Sequence, residues 1–199
     1  LLATLWGGPG EMGQASASPA LGKLHYLTEE YKPYNFTGED GAPTGFAIDL
    51  LHLVWQKTGT PVQPVSILPW ARGYYLLTQK PNVVLFATAR TEARDPLFKW
   101  ACPIGYAEIV LMGLASRPLT LTRLEEAQRY TIGAVRSDVG EQLLLNAGFD
   151  EQKIMTANRL SQALRMLTSG RVDLVSSNKS TLLDLIKTQQ LDPAQFEVR

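Results

Sequence analysis

The chain has 199 residues, of which 45% are hydrophobic and 19% are charged, so it can fold around a core as one large domain or two lobes. Its 19 Lys and Arg residues balance 19 Asp and Glu residues, which argues against a broad surface for nucleic acid or anionic membrane. Two His residues and one Cys are too few for a zinc finger, an iron–sulfur cluster or a disulfide framework. We therefore expect no metal and no cofactor.

Residues 1–22 are typical of a processed or flexible N-terminus. The stretch 1–17 opens on apolar residues and ends in Ala15-Ser16-Ala17, an A-x-A pattern like that of signal-peptide cleavage sites. It is interpreted either as the remnant of a secretory signal peptide, which predicts a periplasmic protein, or as a Gly-rich tail. The lone Cys102 has no disulfide partner in the chain and is expected to be a small buried hydrophobic residue.

From Lys23 onward, short strand-like runs alternate with helical ones. In the first half, apolar and β-branched runs predict strands, and apolar spacing near 3.6 predicts helices. The strands are predicted at 24–27, 61–68 and 82–87, and the helices at 46–57 and 71–79.

The second half repeats the alternation. Thr122 with Glu125 is predicted to form a capping box, and Asn158 to cap a helix that ends at Gly170. The strands are predicted at 109–114, 131–135 and 172–175, with further helices at 140–146 and 181–187, and an extended segment is predicted to begin at 196–199.

This order predicts an α/β fold in which parallel sheets carry helices on both faces. We expect two lobes, 23–108 and 109–199, each a mostly parallel sheet flanked by helices, with the chain crossing between them near residues 104–114.

Ligands of such sheets bind beyond the carboxyl ends of the strands. The segments after the predicted strands are rich in aromatic and Arg side chains, which suit a small organic anion. Nine candidates stand in these segments: Tyr31, Tyr34, Trp70, Arg72, Arg90, Arg94, Arg136, Ser137 and Gly140. The alternative is that the tyrosines only pack a loop onto the core, and that Arg90 or Arg94 pairs with Glu92 on the surface.

Several segments, in this order and spacing, resemble the type 2 periplasmic solute-binding proteins, also called extracellular solute-binding family 3. They are YKPYNF at 31–36, GFAIDL at 45–50, TEAR at 91–94, FKWACP at 98–103, IGAVRSDVG at 132–140 and LTSGRVD at 167–173. These proteins are polar-amino-acid binders of ABC transporters. The resemblance spans about residues 23–199.

The resemblance implies a two-lobed clamp that closes on a small ligand and presents it to a permease. Arg94 would then grip a ligand carboxylate, with Tyr31 and Trp70 as aromatic walls and backbone near Ala89 adding hydrogen bonds. From the second lobe, Arg136, Ser137 and Gly140 would contribute. We expect a monomer, and the balanced charge predicts that it binds no nucleic acid.

Two departures from the family pattern matter. Where amino-acid binders carry an Asp for the α-ammonium, this chain has Ser176-Ser177-Asn178, so Asn178 is the candidate there and recognition of an amino group is open. The family also returns to its first lobe after the position where this sequence ends, so we expect a fragment or a degenerate protein.

Two other functions remain open. The same clamp serves as a sensor module of receptors or cell-wall enzymes. An enzyme built on it would need a poised acid or base in the cleft, for which Glu29 and Glu30 are the nearby candidates. No G-x-S-x-G, P-loop or H-E-x-x-H motif occurs in the sequence, so the residues favour a binding protein without catalysis.

Overall fold

The structure is a computed structural model that describes residues 21–101 and 103–199. The interpretation of the N-terminus as a signal-peptide remnant or a tail, apart from residues 21 and 22, and the expectation for Cys102 lie outside the described residues. Within these ranges, no helix combines the length and the hydrophobicity that a bilayer span requires.

The first half of the chain builds a three-stranded parallel sheet, in the order β4-β1-β5. An antiparallel pair of two-residue strands, β2 and β3, precedes the first helix. The elements are β1 His25–Thr28, β2 Phe36–Thr37, β3 Pro43–Thr44, α1 Phe46–Lys57, β4 Val65–Ile67, α2 Trp70–Gln79 and β5 Val83–Leu85. This sheet with α1, α2 and the loops that follow its strands, including the loop after β5 that carries Arg94, is called the first lobe below.

The second half builds a five-stranded sheet in the order β10-β6-β9-β7-β8. Strands β7, β8 and β9 run parallel, while β6 pairs antiparallel with both β9 and β10. The elements are β6 Ile109–Leu114, β7 Ile132–Val135, α3 Val139–Asn146, β8 Ile154–Ala157, α4 Leu160–Thr168, β9 Leu174–Asn178, α5 Lys179–Thr188 and β10 Phe196–Val198. This sheet with α3, α4 and α5 is called the second lobe.

Apolar packing is heavier in the second lobe. Two buried clusters cover the two faces of its sheet, and residues such as Leu164, Leu174 and Ile186 are fully buried there. The first lobe has a smaller cluster of Leu27, Trp70 and Leu85. That cluster also contains Val135, so the two lobes share apolar contacts.

The predicted α/β fold class, with parallel sheets flanked by helices, is confirmed, and helix 46–57 and strand 109–114 have the predicted bounds. Two capping predictions are wrong. The side-chain partner of Thr122 is Glu126 rather than Glu125, because the following turn is a 3₁₀-helix that brings position 126 back to the Thr122 amide. Helix α4 starts after Arg159, and Asn158 gives it no side-chain cap.

Candidate functional site

A cleft of about 160 Å³ lies between the two lobes, at the carboxyl ends of their parallel strands. The first lobe lines it with Glu29, Tyr31 and Trp70, which follow β1 or open α2. The second lobe lines it with Asp138, which follows β7, and with Ser177 of β9. This is where parallel α/β sheets bind ligands, because strand ends and helix starts converge there.

Two first-lobe side chains converge on one backbone oxygen of the second lobe. The Trp70 Nε1–H donates to the Ser137 carbonyl at 2.7 Å, and the Arg94 Nη2–H donates to the same oxygen at 3.0 Å. Ser137 has a φ of 60°, a left-handed conformation that is uncommon for a residue other than glycine. These two hydrogen bonds hold the lobes together beside the cleft.

Arg94 is almost completely buried, with only 1% of its surface exposed. Its guanidinium lies 5.1 Å from the Trp70 ring centroid and 5.0 Å from that of Tyr74, and its Nη1–H donates to the Ala89 carbonyl at 3.3 Å. Burial lowers the pKa of Arg94, and the charge of Asp138 opposes that shift. The Arg94 Nε–H is buried and finds no acceptor among the described residues.

Two carboxyl groups face this region from opposite lobes. Burial raises the pKa of Glu29 well above its ordinary value, and the nearby charge of Asp138 raises it further. Burial also raises the pKa of Asp138, although its Oδ1 accepts the Val139 N–H at 2.6 Å and so caps α3. The charge of Arg94 lowers both pKa values but does not outweigh the burial.

Tyr31 forms part of the cleft wall, as its position after β1 predicts. Burial raises its pKa, and the hydroxyl of Thr181 on α5 lowers it. Tyr34 packs against Tyr31 with ring centroids 5.7 Å apart and is not among the residues that line the cleft. Tyr31 therefore lines the cleft, and Tyr34 supports the Tyr31 ring.

Three predicted arginines lie away from the cleft. Arg72 is exposed on α2, and Arg90 is exposed and forms an ion pair with Asp95. Arg136 is exposed at the end of β7 and faces a separate open groove on the second lobe with Arg165 and Arg171.

The last two predicted residues have local structural roles. A Cβ at Gly140 would come within 2.5 Å of the Ser176 carbonyl oxygen, so glycine lets α3 approach β9. The Asn178 Oδ1 caps α5 by accepting from the Ser180 and Thr181 amides and from the Ser180 hydroxyl. Its acceptor oxygen is thus used inside the lobe.

The sequence profile of bacterial extracellular solute-binding proteins, family 3, matches residues 25–187. That span covers most of the chain. The chain belongs to this family. Comparison with curated protein sequences gives no match.

Solved structures with the same fold agree with the family assignment. A histidine kinase sensor domain with similarity to periplasmic binding proteins superposes with a TM-score of 0.77 at 17% identity, over 88% of this chain and 76% of that one. An arginine-bound, truncated ArgBP from T. maritima gives 0.73 at 17% identity, over 89% and 81%. The arginine-, lysine- and histidine-binding protein ArtJ from Geobacillus stearothermophilus gives 0.74 at 18% identity, over 88% and 74%. At these identities the likeness establishes the two-lobed fold.

The sequence analysis named Glu29 only as a candidate acid or base of an enzyme, and it missed three residues of this solute-binding protein's cleft region: Tyr74, Asp138 and Ser177. Glu29 and Asp138 stand shortly after predicted strands, so their position was a usable signal. Tyr74 becomes a partner of Arg94 only because α2 turns it toward Trp70, with the two rings stacked 5.6 Å apart. Among the described residues, no group of three or more His, Cys, Asp or Glu side chains is placed to hold a metal ion.

Proposed function

We propose that this protein is a non-enzymatic solute-binding clamp that captures a small, carboxylate-bearing, amino-acid-like ligand between its lobes. One observation carries the proposal: the Arg94 guanidinium is buried beside the cleft, and its Nε–H has no acceptor among the described residues. An unmet buried donor of a charged group is costly, and a ligand carboxylate would satisfy it.

Arg94 is already built for this role. Its contacts with Trp70, Tyr74 and Ala89 fix the plane of the guanidinium before a ligand arrives, so little side-chain entropy is lost on binding. In the proposed complex, a ligand carboxylate pairs with Nε and takes the place of the Ser137 carbonyl on Nη2. A charge-assisted hydrogen bond of this kind is worth about 1.5–3 kcal/mol.

Closure would follow from contacts that exist only when the lobes are together. The Trp70 hydrogen bond to Ser137 and the apolar cluster that Leu27 and Trp70 share with Val135 are contacts of this type. A ligand that touches both lobes shifts the population toward the closed form by its extra affinity for that form. We further propose that the protein works as a periplasmic monomer that delivers its ligand to an ABC transporter permease, and that it binds no nucleic acid.

A thermal-shift screen against amino acids, small carboxylates, amines and short peptides tests the clamp. A ligand that binds only the native state at a hundredfold its Kd adds about 2.7 kcal/mol of stability. We expect a shift with one carboxylate-bearing class, loss of that shift in Arg94→Ala, and its retention in the exposed control Arg72→Ala. Equal shifts in native protein and Arg94→Ala would contradict the role of Arg94.

A second candidate is a ligand-sensing module that uses the same clamp. It is favoured by the structural likeness to a sensor domain of a histidine kinase. The two candidates differ in what the bound ligand does next. Loss of radiolabelled ligand uptake in cells lacking the gene supports transport, whereas normal uptake with an altered transcriptional response to the ligand supports sensing.

A further inference from the structure

We infer that the open groove lined by Arg136, Arg165 and Arg171 is a docking surface for an extended acidic segment of a partner protein, which pairs with the edge of strand β8. The groove has a volume of about 710 Å³ and adjoins the cleft between the lobes only at Asn158, the one residue that lines both. The inference is therefore independent of which ligand the clamp binds.

The groove runs along helix α4. Its lining includes Gln162, Arg165, Met166 and Ser169, which stand three or four positions apart and so form one stripe of the helix. From the first to the last of these residues the helix rises about 10 Å, which is the length of about three residues of extended chain. The groove is therefore longer than a single small anion and matches a short peptide segment.

The charge of the groove has one sign. Among the described residues that line it, every charged side chain is an arginine. Arg136 follows β7 at one end, Arg171 follows α4 at the other, and Arg165 lies on α4. None of the three guanidinium groups forms an ion pair or a hydrogen bond with a described residue. In a chain with no net charge, this concentration of cations is complementary to an acidic partner.

Helix dipoles within the protein account for only part of this pattern. Arg165 lies in the last turn of α4, where the helix dipole favours a cation. Arg136 lies just before the start of α3, where a helix dipole disfavours one. The position of Arg136 on the same groove is thus explained by an external anion and not by the fold.

Strand β8 presents a free edge to the groove. It stands last in the sheet order, so it pairs on one side only, with β7. The Ala157 carbonyl accepts the Arg136 N–H on the β7 side at 2.9 Å. Because neighbouring residues of a strand point to alternate sides, the N–H and C=O of Thr156 point away from β7. Thr156 lines the groove, and an extended segment that adds a strand here satisfies both of its backbone groups.

The two halves of the groove fit the same kind of chain. In an extended segment, alternate side chains share one face and stand about 6–7 Å apart. Acidic residues at alternate positions then face the arginines of the groove, while the backbone of the segment pairs with β8. The synthetic peptide Ac-ETETETE-amide has this pattern and is the probe.

Fluorescence anisotropy of the labelled probe with the full chain tests the inference. We expect the native protein to bind it, with an affinity that falls as salt is added, because exposed charges are screened. The basic counterpart Ac-KTKTKTK-amide should bind at least about tenfold more weakly. Inorganic phosphate and polyphosphate, added as competitors, distinguish a peptide surface from a site for small anions.

Removal of charge tests the arginines. Each of Arg136→Gln, Arg165→Gln and Arg171→Gln should weaken the acidic peptide by about twofold to fivefold, and the triple variant by about tenfold or more. The controls Arg72→Gln on α2 and Lys187→Gln on α5 remove exposed charges elsewhere and should leave the affinity unchanged.

The strand edge is tested at Thr156. Thr156→Pro removes the outward amide but keeps the pairing with β7, because proline is tolerated where the N–H faces away from the sheet. We expect it to weaken the peptide by about tenfold, whereas Thr156→Val retains the amide and should bind like the native protein. If thermal melts show that Thr156→Pro does not fold, a probe N-methylated at alternate residues removes the same hydrogen bonds with the native protein, and it should bind about tenfold more weakly.

The remaining outcomes overturn the inference. They are no binding of the acidic peptide, equal binding by the native protein and the triple arginine variant, or binding of phosphate alone. Loss of peptide binding in Arg94→Ala would place the peptide in the cleft and would overturn it as well. The thermal screen of the cleft ligands is independent of these results, so the clamp can stand while the docking surface fails.

Discussion

The two lobes differ in how self-sufficient their cores are. The second lobe buries two apolar clusters on the two faces of its sheet, with residues such as Leu164 and Ile186 completely covered. The first lobe's cluster of Leu27, Trp70 and Leu85 includes Val135 from the other lobe. Both clusters of the second lobe are built from its own residues, whereas the first lobe's cluster includes a residue of the other lobe.

The lobes also contribute differently to the cleft. The first lobe contributes the side chains of Trp70 and Arg94, whereas the second lobe contributes the backbone oxygen of Ser137, which accepts a hydrogen bond from each. The first lobe thus contributes side-chain donors to this contact, and the second lobe contributes a backbone acceptor. The first wall is therefore sensitive to truncation of a side chain, and the second to anything that moves the backbone between β7 and α3.

Truncation of a core side chain should show the largest difference between the two lobes. Leu164→Ala removes a fully buried side chain from the second lobe and should lower the free energy of unfolding by about 2–5 kcal/mol without weakening ligand binding in the native fraction. Leu27→Ala should weaken both, because Leu27 packs at the shared contact. Urea denaturation and calorimetry measure the two effects, with the exposed Leu183→Ala as control. Equal loss of ligand affinity in Leu164→Ala and Leu27→Ala would contradict the distinction between the second lobe's own core and the cluster that the two lobes share.

The backbone geometry of the second lobe is tested at Gly140. A Cβ there would meet the Ser176 carbonyl oxygen at 2.5 Å, so Gly140→Ala should push α3 away from β9 and cost about 1–3 kcal/mol of stability. Thermal melts check the cost, and Gly105→Ala is the control because nothing lies within 4 Å of its added Cβ. A melting temperature for Gly140→Ala equal to that of the native protein would mean that this close approach does not exist in solution.

The inter-lobe hydrogen bond of Trp70 predicts a smaller effect. Trp70→Phe keeps an aromatic ring against Tyr74 and Arg94 but removes the Nε1–H, and it should cost about 0.5–1.5 kcal/mol. Denaturant titration measures the loss, and Trp100→Phe, whose Nε1–H donates within the first half of the chain to the Asp95 carbonyl, is the control. If the lobes are held as described, Trp70→Phe also raises the accessibility of the cleft in hydrogen exchange, and Trp100→Phe does not.

The pH dependence of stability is the smallest of the expected effects. Folding raises the pKa of Glu29 and Asp138 above their ordinary values of 4.5 and 3.8. Their contribution is fully present below those values and is lost as the pH rises through the raised pKa values, because folding then confines a charge that the unfolded chain exposes. From about pH 4 upward, the ligand-free native protein should therefore lose more stability than Glu29→Gln/Asp138→Asn. Parallel curves for the two proteins would contradict the shifted pKa values.

Much of the fold follows from local pattern. The spacing of apolar residues gives helix α1 its observed bounds, and buried apolar runs locate β6 and β7. Local sequence patterns gave wrong predictions where several neighbouring side chains can cap the same helix or turn. Glu126 rather than Glu125 satisfies Thr122 because the turn is 3₁₀, and Gln162 reaches the Asn158 amide although Asn158 was the predicted cap of α4. Strand β8 was not predicted, since its short segment Ile154–Ala157 lacks a long apolar run.

The sequence predicts where the candidate site lies better than it predicts which residues form it. The strand ends predict Tyr31, Trp70 and Arg94 as site residues; in the structure Tyr31 and Trp70 line the cleft, and Arg94 contacts Trp70. Arg72 and Arg136 carry the same chemistry at similar positions, but the helix turn directs Arg72 to solvent and the end of β7 directs Arg136 to another groove. The pairing of Glu29 with Asp138 depends on how two lobes meet, which no local pattern encodes.

A crystal structure of the protein with the ligand selected by the thermal screen tests the central claim most directly. The account predicts ligand density between Trp70 and Ser177, with a carboxylate within hydrogen-bond distance of the Arg94 Nε. A ligand bound outside this cleft, or a bound ligand with the Arg94 Nε still unpaired, would contradict it.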